Sequence, residues 1–184
     1  MITSMLNNVK MNRYKYFCHG KLLLTGEYFL LCGSMGIALP TIKGQSLTVF
    51  NYEKNCSYPL LHWKSLDEFN HVWFEAIFKL PSLDIYYETE KKTSLFLQRL
   101  LLLSKKNQKK FLTDSFNINV YTKLEFSIDW GLGSSSTLIN NIAKWANISP
   151  YLLIGNDFLG SGYDIACGNT SRPIIYQVHK KKNL

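Results

Sequence analysis

From Phe116 to Tyr121 apolar and polar residues alternate, and the run continues into Leu124 and Phe126, which predicts a strand with one buried face. The period then changes. Leu138, Ile139, Ile142, Ala143 and Ala146 recur at the spacing of one helical face. Between the two lies Trp130-Gly131-Leu132-Gly133-Ser134-Ser135-Ser136, in which two glycines bracket a leucine and three serines follow. This is a loop feeding a helix, with the serines available as helix caps.

The rest of the chain divides in the same way. Residues 14–18 read as a strand, and the apolar run within 20–31, bounded by glycines, reads as a buried strand with a turn at Thr25 and Gly26. Residues 33–40, small and apolar, predict a tight connection. Strands follow at 44–52, 60–64, 72–78 and 83–87. Residues 93–103 read as a helix whose end is favoured by the lysine run at 105–110. Ser149 and Pro150 start a short helix ending near Gly155 or Phe158, residues 159–168 form a glycine- and serine-rich turn around Asp164, and residues 173–178 predict a closing strand.

Composition narrows the class. The chain has 184 residues, 46% hydrophobic and 18% charged, which suits one globular unit of ordinary size. The net charge of +8 suits an anionic ligand, and would suit nucleic acid or an acidic membrane equally. Aromatic residues do not interleave with the lysines at 105–110 and 180–182, so those runs read as solvated faces. Cys18, Cys32, Cys56 and Cys167 show no CxxC spacing, which points to a reduced, cytoplasmic protein. No apolar run reaches the roughly 20 residues that span a bilayer. Residues 1–10 lack periodicity, and residues 1–12 are expected to be disordered or to precede the true start, with Met11 as an alternative initiator.

Three segments carry candidate chemistry. Glycines at 131 and 133 let a backbone approach a ligand, and a helix N-terminus favours an anion such as a nucleotide phosphate. An ordinary glycine-rich turn is the alternative. No Lys follows the last glycine, so a cation for phosphate must come from elsewhere. Lys21, at the mouth of the strand after Gly20, is either that cation or a surface lysine with a snorkelling stem. Asp164 is either an acid presented into a cleft by its flanking glycines or the cap of a helix starting at Ile165. His62 and His71 read as packing or edge residues.

Taken together, Gly20-Lys21-Leu22-Leu23-Leu24-Thr25-Gly26-Glu27-Tyr28, Gly131-Leu132-Gly133-Ser134-Ser135-Ser136 and Gly160-Ser161-Gly162-Tyr163-Asp164, in this order, resemble the GHMP kinases. Gly162-Tyr163-Asp164-Ile165-Ala166 is similar to the motif of the GYDIA branch, which is mevalonate kinase-like. The resemblance implies an α+β fold whose N-terminal domain is similar to domain 2 of a ribosomal protein, covering residues 13–184, with the C-terminal domain largely missing. It implies ATP and Mg2+ as cofactors, the phosphates at Gly131, Leu132, Gly133, Ser134, Ser135 and Ser136, and Ser135 as a magnesium ligand. By the same resemblance Asp164 takes the proton of the acceptor hydroxyl and Lys21 supplies the missing cation. Phosphoryl transfer relies on positioning and charge stabilisation, which such parts supply.

The chain departs from the family where Ser127 replaces a common proline, where Asp157 is the only acid near the position of a second magnesium ligand, and where a further hundred or so residues would follow Leu184. The expected activity is phosphorylation of a small-molecule alcohol, mevalonate or a related metabolite, and the 184-residue chain by itself is expected to be inactive because truncated. Nucleic acid and membrane are not expected partners, and a homodimer stays open for a full-length form. The alternatives are an inactive nucleotide-binding fragment, a nucleic-acid-binding domain, and an ATP-dependent decarboxylase of the diphosphomevalonate type.

Overall fold

The computed structural model describes residues 12–27, 29–53, 58–113, 116–154 and 160–178. Its alternating stretches form a seven-stranded sheet of β1 (Asn12–Thr25), β2 (Met35–Glu53), β3 (Leu60–Leu66), β4 (Val72–Lys79), β5 (Ile85–Glu88), β6 (Phe116–Leu124) and β7 (Ile174–Gln177). The strand order is β1-β2-β6-β3-β4-β5. The pair β3–β6 is parallel, and every other pair is antiparallel. β6 pairs with residues 45–53 of β2, and β7 pairs with its first four residues.

One face of the sheet is buried because each strand turns alternate residues inward. Leu47 and Val49, Leu61 and Trp63, Phe74 and Phe78, and Ile118 and Val120 all face the core. Four helices meet them: α1 (Lys91–Asn107), α2 (Ser134–Ala146), α3 (Tyr151–Ile154) and α4 (Tyr163–Gly168). The stripe on α2 expected from its spacing is the face that packs, with Ile139, Ile142, Ala143 and Ala146 buried and Leu138 partly so. α1 is longer than its periodicity predicts. Glu90 caps it, its carboxylate oxygens accepting from the N–H groups of Lys92 at 2.8 Å and Thr93 at 2.6 Å, which draws residues 91 and 92 into the first turn.

Five sequence expectations are corrected. Residues 14–18 and the apolar run after Gly20 are one strand, β1, and not two. That run is also not a buried strand, because β1 is a sheet edge and Leu22 and Leu24 are 49% and 59% exposed. Residues 35–40, expected as part of a tight connection, begin β2. Gly36 permits this, since a Cβ there would lie 2.7 Å from the carbonyl oxygen of Thr25. At α2 the N-cap is Gly133 and no serine caps the helix. At α4 the helix starts at Tyr163 after Gly162, and Asp164 sits inside the first turn instead of capping it. Among the described residues no helix is long and apolar enough to cross a membrane. Asp157 and the end of the short helix after Pro150 lie outside the described residues.

Candidate functional site

The site is built where β1 meets the loop before α2. The register of β1 against β2 slips between His19 and Lys21, at Gly20. A Cβ on Gly20 would stand 2.5 Å from Thr41 Oγ1 and 3.1 Å from the Leu132 carbonyl oxygen. The bare backbone therefore lets the loop dock, and the Lys21 N–H donates to the Leu132 carbonyl at 2.9 Å. The Lys21 side chain then passes Gly133, where a Cβ would come within 3.0 Å of its Cγ and 3.2 Å of its Cε. Its ammonium ends 5.3 Å from the centre of the Tyr163 ring, in a cation–π contact. Lys21 thus bridges the loop and α4.

Gly131 and Gly133 both adopt left-handed conformations, at φ +68° and +83°. The first bond of α2 runs from the Thr137 N–H to the Gly133 carbonyl, and the N–H groups of Ser134, Ser135 and Ser136 have no partner among the described residues. Three unpaired donors and the positive end of a 13-residue helix make a site for an anion. The serine side chains differ in what they do. Ser136 is buried and donates back to the Gly133 carbonyl at 2.8 Å, whereas the hydroxyl of Ser135 is exposed and makes no hydrogen bond among the described residues.

α2 is anchored by buried polar bonds. Thr137 Oγ1 and Gln45 Oε1 are 2.8 Å apart, and Asn141 donates to the Gln45 carbonyl at 2.8 Å. Asn140 donates to the Ile165 carbonyl at 3.0 Å and accepts from Asn169 at 2.7 Å, fixing α4 against α2. Asp164 accepts from the Ile165 N–H at 3.0 Å and has no ion-pair partner among the described residues. Beside it, Tyr176 lies against Tyr151 and donates to the Ser161 carbonyl at 2.7 Å.

Two cavities flank the first turn of α2. One, of about 210 Å³, is walled by Trp63, Trp73, Phe74 and Phe96, with Gln45 and Ser65 as polar groups. The other, of about 440 Å³, brings Ser135, Ser136 and Asp164 together with Arg99 of α1. Phe96 and Ser135 line both, so the cavities adjoin as the two parts of a trench across the helix N-terminus. The structure brings the loop, Lys21 and the helix of Asp164 into one neighbourhood. Sequence reading missed Arg99, Tyr151, Tyr176 and Asn140, none of which lies in a glycine-marked segment. Arg99 carried one available signal, an arginine with no acid three or four positions away on its helix.

Beneath the site the buried thiol of Cys167 feels both charges. Its pKa is pushed up to about 11, first by burial, with Lys21 pulling it down and Asp164 pushing it up. Burial, its partner Tyr176 and the charge of Asp164 push Tyr151 up to about 12. Between pH 9 and 11 the unfolded chain has released the thiol proton and the folded chain still holds it, so stability falls as pH rises. Tyr151 adds the same sign above pH 10. Thermal melts are expected to show a lower Tm at pH 10.5 than at pH 8, and Cys167→Ala with Tyr151→Phe should flatten the difference. An unchanged slope in that double variant would refute the assignment.

No protein-family model matches this sequence, and no curated protein matches it. Solved structures do match its fold. Streptococcus pneumoniae phosphomevalonate kinase in complex with phosphomevalonate and AMPPNP aligns with a TM-score of 0.60 and 16% identity over 92% of this chain and 50% of that one. L. major mevalonate kinase in complex with R-mevalonate aligns at 0.58 and 13% over 92% and 53%. A Listeria innocua protein aligns at 0.59 and 18% over 93% and 50%. The chain spans about half the length of these structures. The α+β fold expected from the sequence is thus the GHMP kinase fold over that half.

Proposed function

We propose that this chain binds ATP along the trench and, as a GHMP-type kinase of the mevalonate kinase-like branch, transfers the terminal phosphoryl group to a small-molecule alcohol, mevalonate or a related metabolite. The observation that carries this reading is the convergence of Lys21, the unpaired N–H groups of Ser134 to Ser136, and the helix of Asp164. The kinases that share the fold support it, one of them complexed with AMPPNP and phosphomevalonate and another with R-mevalonate.

In this reading the aromatic cavity of Trp63, Trp73 and Phe96 takes the nucleobase, an apolar slot with the few polar groups that orient a ring. The N–H groups of α2 hold phosphate oxygens, and Lys21 offsets their charge from the β1 side. Asp164 accepts the proton of the acceptor hydroxyl as its oxygen attacks. Among the described residues no cluster of three or more His, Cys, Asp and Glu could hold a metal ion. Magnesium needs little from the protein when nucleotide phosphates and water complete its shell, and the unengaged hydroxyl of Ser135 fits that part, with the Asp164 carboxylate on the same cavity. Bound there, the ion would neutralise charge on the phosphates.

The test is calorimetric titration of the 184-residue chain with ATP in magnesium buffer, followed by an assay of ADP formation with mevalonate. Saturable ATP binding is expected, and mevalonate-dependent ADP release would show that this chain by itself suffices for transfer. No ATP binding would refute the reading, and carbon dioxide release from a phosphorylated mevalonate would reassign the reaction to a decarboxylase.

A further inference from the structure

We infer that Arg99 is a second phosphate-binding residue, which rests on the nucleotide reading above and holds the outer phosphates of ATP from the α1 side of the trench. The side chain lines the same cavity as Ser135, Ser136 and Asp164. Phe96, one turn earlier on the same side of α1, lines both this cavity and the aromatic one, so a ligand with its ring in the first directs its far end toward Arg99. Packing does not account for the residue. The core face of α1 is Leu97, Leu100, Leu101 and Ser104, and Arg99 is exposed beside it.

Ion pairing does not account for it either. Positions three and four residues away on α1 are Leu95, Phe96, Leu102 and Leu103, and the ion pairs among the described residues are Lys64 with Glu75 and His71 with Asp67. The guanidinium has no hydrogen-bond partner among those residues. The charge balance of the site calls for such a group. The loop offers N–H donors and no cation, Lys21 reaches it from β1 with its ammonium over Tyr163, and a triphosphate brings several negative charges. A planar guanidinium can grip two phosphate oxygens at once, which an ammonium cannot do with the same geometry.

The experiment titrates the full chain and its Arg99→Ala and Arg99→Lys variants with AMP, ADP and ATP in magnesium buffer. A contact to the outer phosphates predicts AMP affinity within about twofold of the unaltered protein and ATP affinity about tenfold to a hundredfold weaker in Arg99→Ala. Arg99→Lys should recover part of the loss. Lys106→Ala, which removes another exposed cation from α1, should leave ATP affinity unchanged. Equal losses for AMP and ATP, no loss for either, or the same loss in Lys106→Ala would overturn the role of Arg99 while leaving the nucleotide site standing. Failure of the unaltered chain to bind any of the three nucleotides would overturn the nucleotide reading and this inference together.

Discussion

Gly133→Val is expected to abolish ATP binding, with affinity reduced more than about a hundredfold, while the protein stays folded. Two physical effects coincide at this residue. Its φ of +83° lies in the left-handed region, where a β-branched side chain is strained by roughly 1–3 kcal/mol. Its Cβ would also stand 2.6 Å from Ser136 Oγ and 3.0 Å from Lys21 Cγ, so relief of the clash displaces the proposed phosphate cation or unwinds the first turn of α2. Either movement dismantles the anion site. The fold should survive because the contacts that bury α2, through Ile139, Ile142, Ala143 and Ala146, lie beyond that turn. Gly131 provides the contrast. A Cβ there meets nothing within 4 Å, so Gly131→Asn, a residue that tolerates φ +68°, should cost far less. Calorimetry with magnesium ATP and circular dichroism check both variants. A folded Gly133→Val protein with unchanged affinity would refute the phosphate-loop assignment.

Local pattern predicts structure here wherever one element answers to one period. β6 and α2 follow their period-2 and 3.6-residue runs, and β3 and β4 follow theirs, because each has one face on the core and one in solvent. The misreadings occur at glycines whose reason is tertiary. Gly20 looks like the end of a strand, yet β1 runs through it, and the missing side chain is required by Leu132, more than a hundred residues later. Gly36 looks like part of a turn and instead makes room for the Thr25 carbonyl and Leu30. The serine-rich start of α2 suggested a side-chain cap, but Gly133 in a left-handed conformation already turns the chain, which leaves Ser136 to bond backward and Ser135 free. Within the site, the residues on glycine-marked turns were legible because their backbones must be unusual. Arg99, Tyr151 and Asn140 sit in ordinary helical positions, and only the packing of α1, α2, α3 and α4 around one cavity gives them meaning.

In a transfer-competent form of the enzyme, Asp164→Asn is expected to leave ATP affinity within about twofold and to lower phosphoryl transfer by ~10²–10⁴-fold, the usual contribution of a general base. The amide matches the carboxylate in size and can still accept from the Ile165 N–H, the bond Asp164 makes in the first turn of α4. That helix does not depend on the charge for its place. Gly162 supplies its left-handed N-cap, and a Cβ there would press within 3.3 Å of Tyr151, while Asn140 and Asn169 tie the helix to α2. An asparagine therefore preserves position and removes the charge, and with it the ability to take a proton from the acceptor hydroxyl. The competing view, that Asp164 serves the helix and not the chemistry, makes the opposite forecast of a lowered Tm with turnover per folded molecule unchanged. Measuring kcat, ATP affinity and Tm on the same preparations separates the two. Transfer at the unaltered rate in the folded variant would leave the proton without an acceptor at Asp164 and would move the search for the base to other groups of the same cavity.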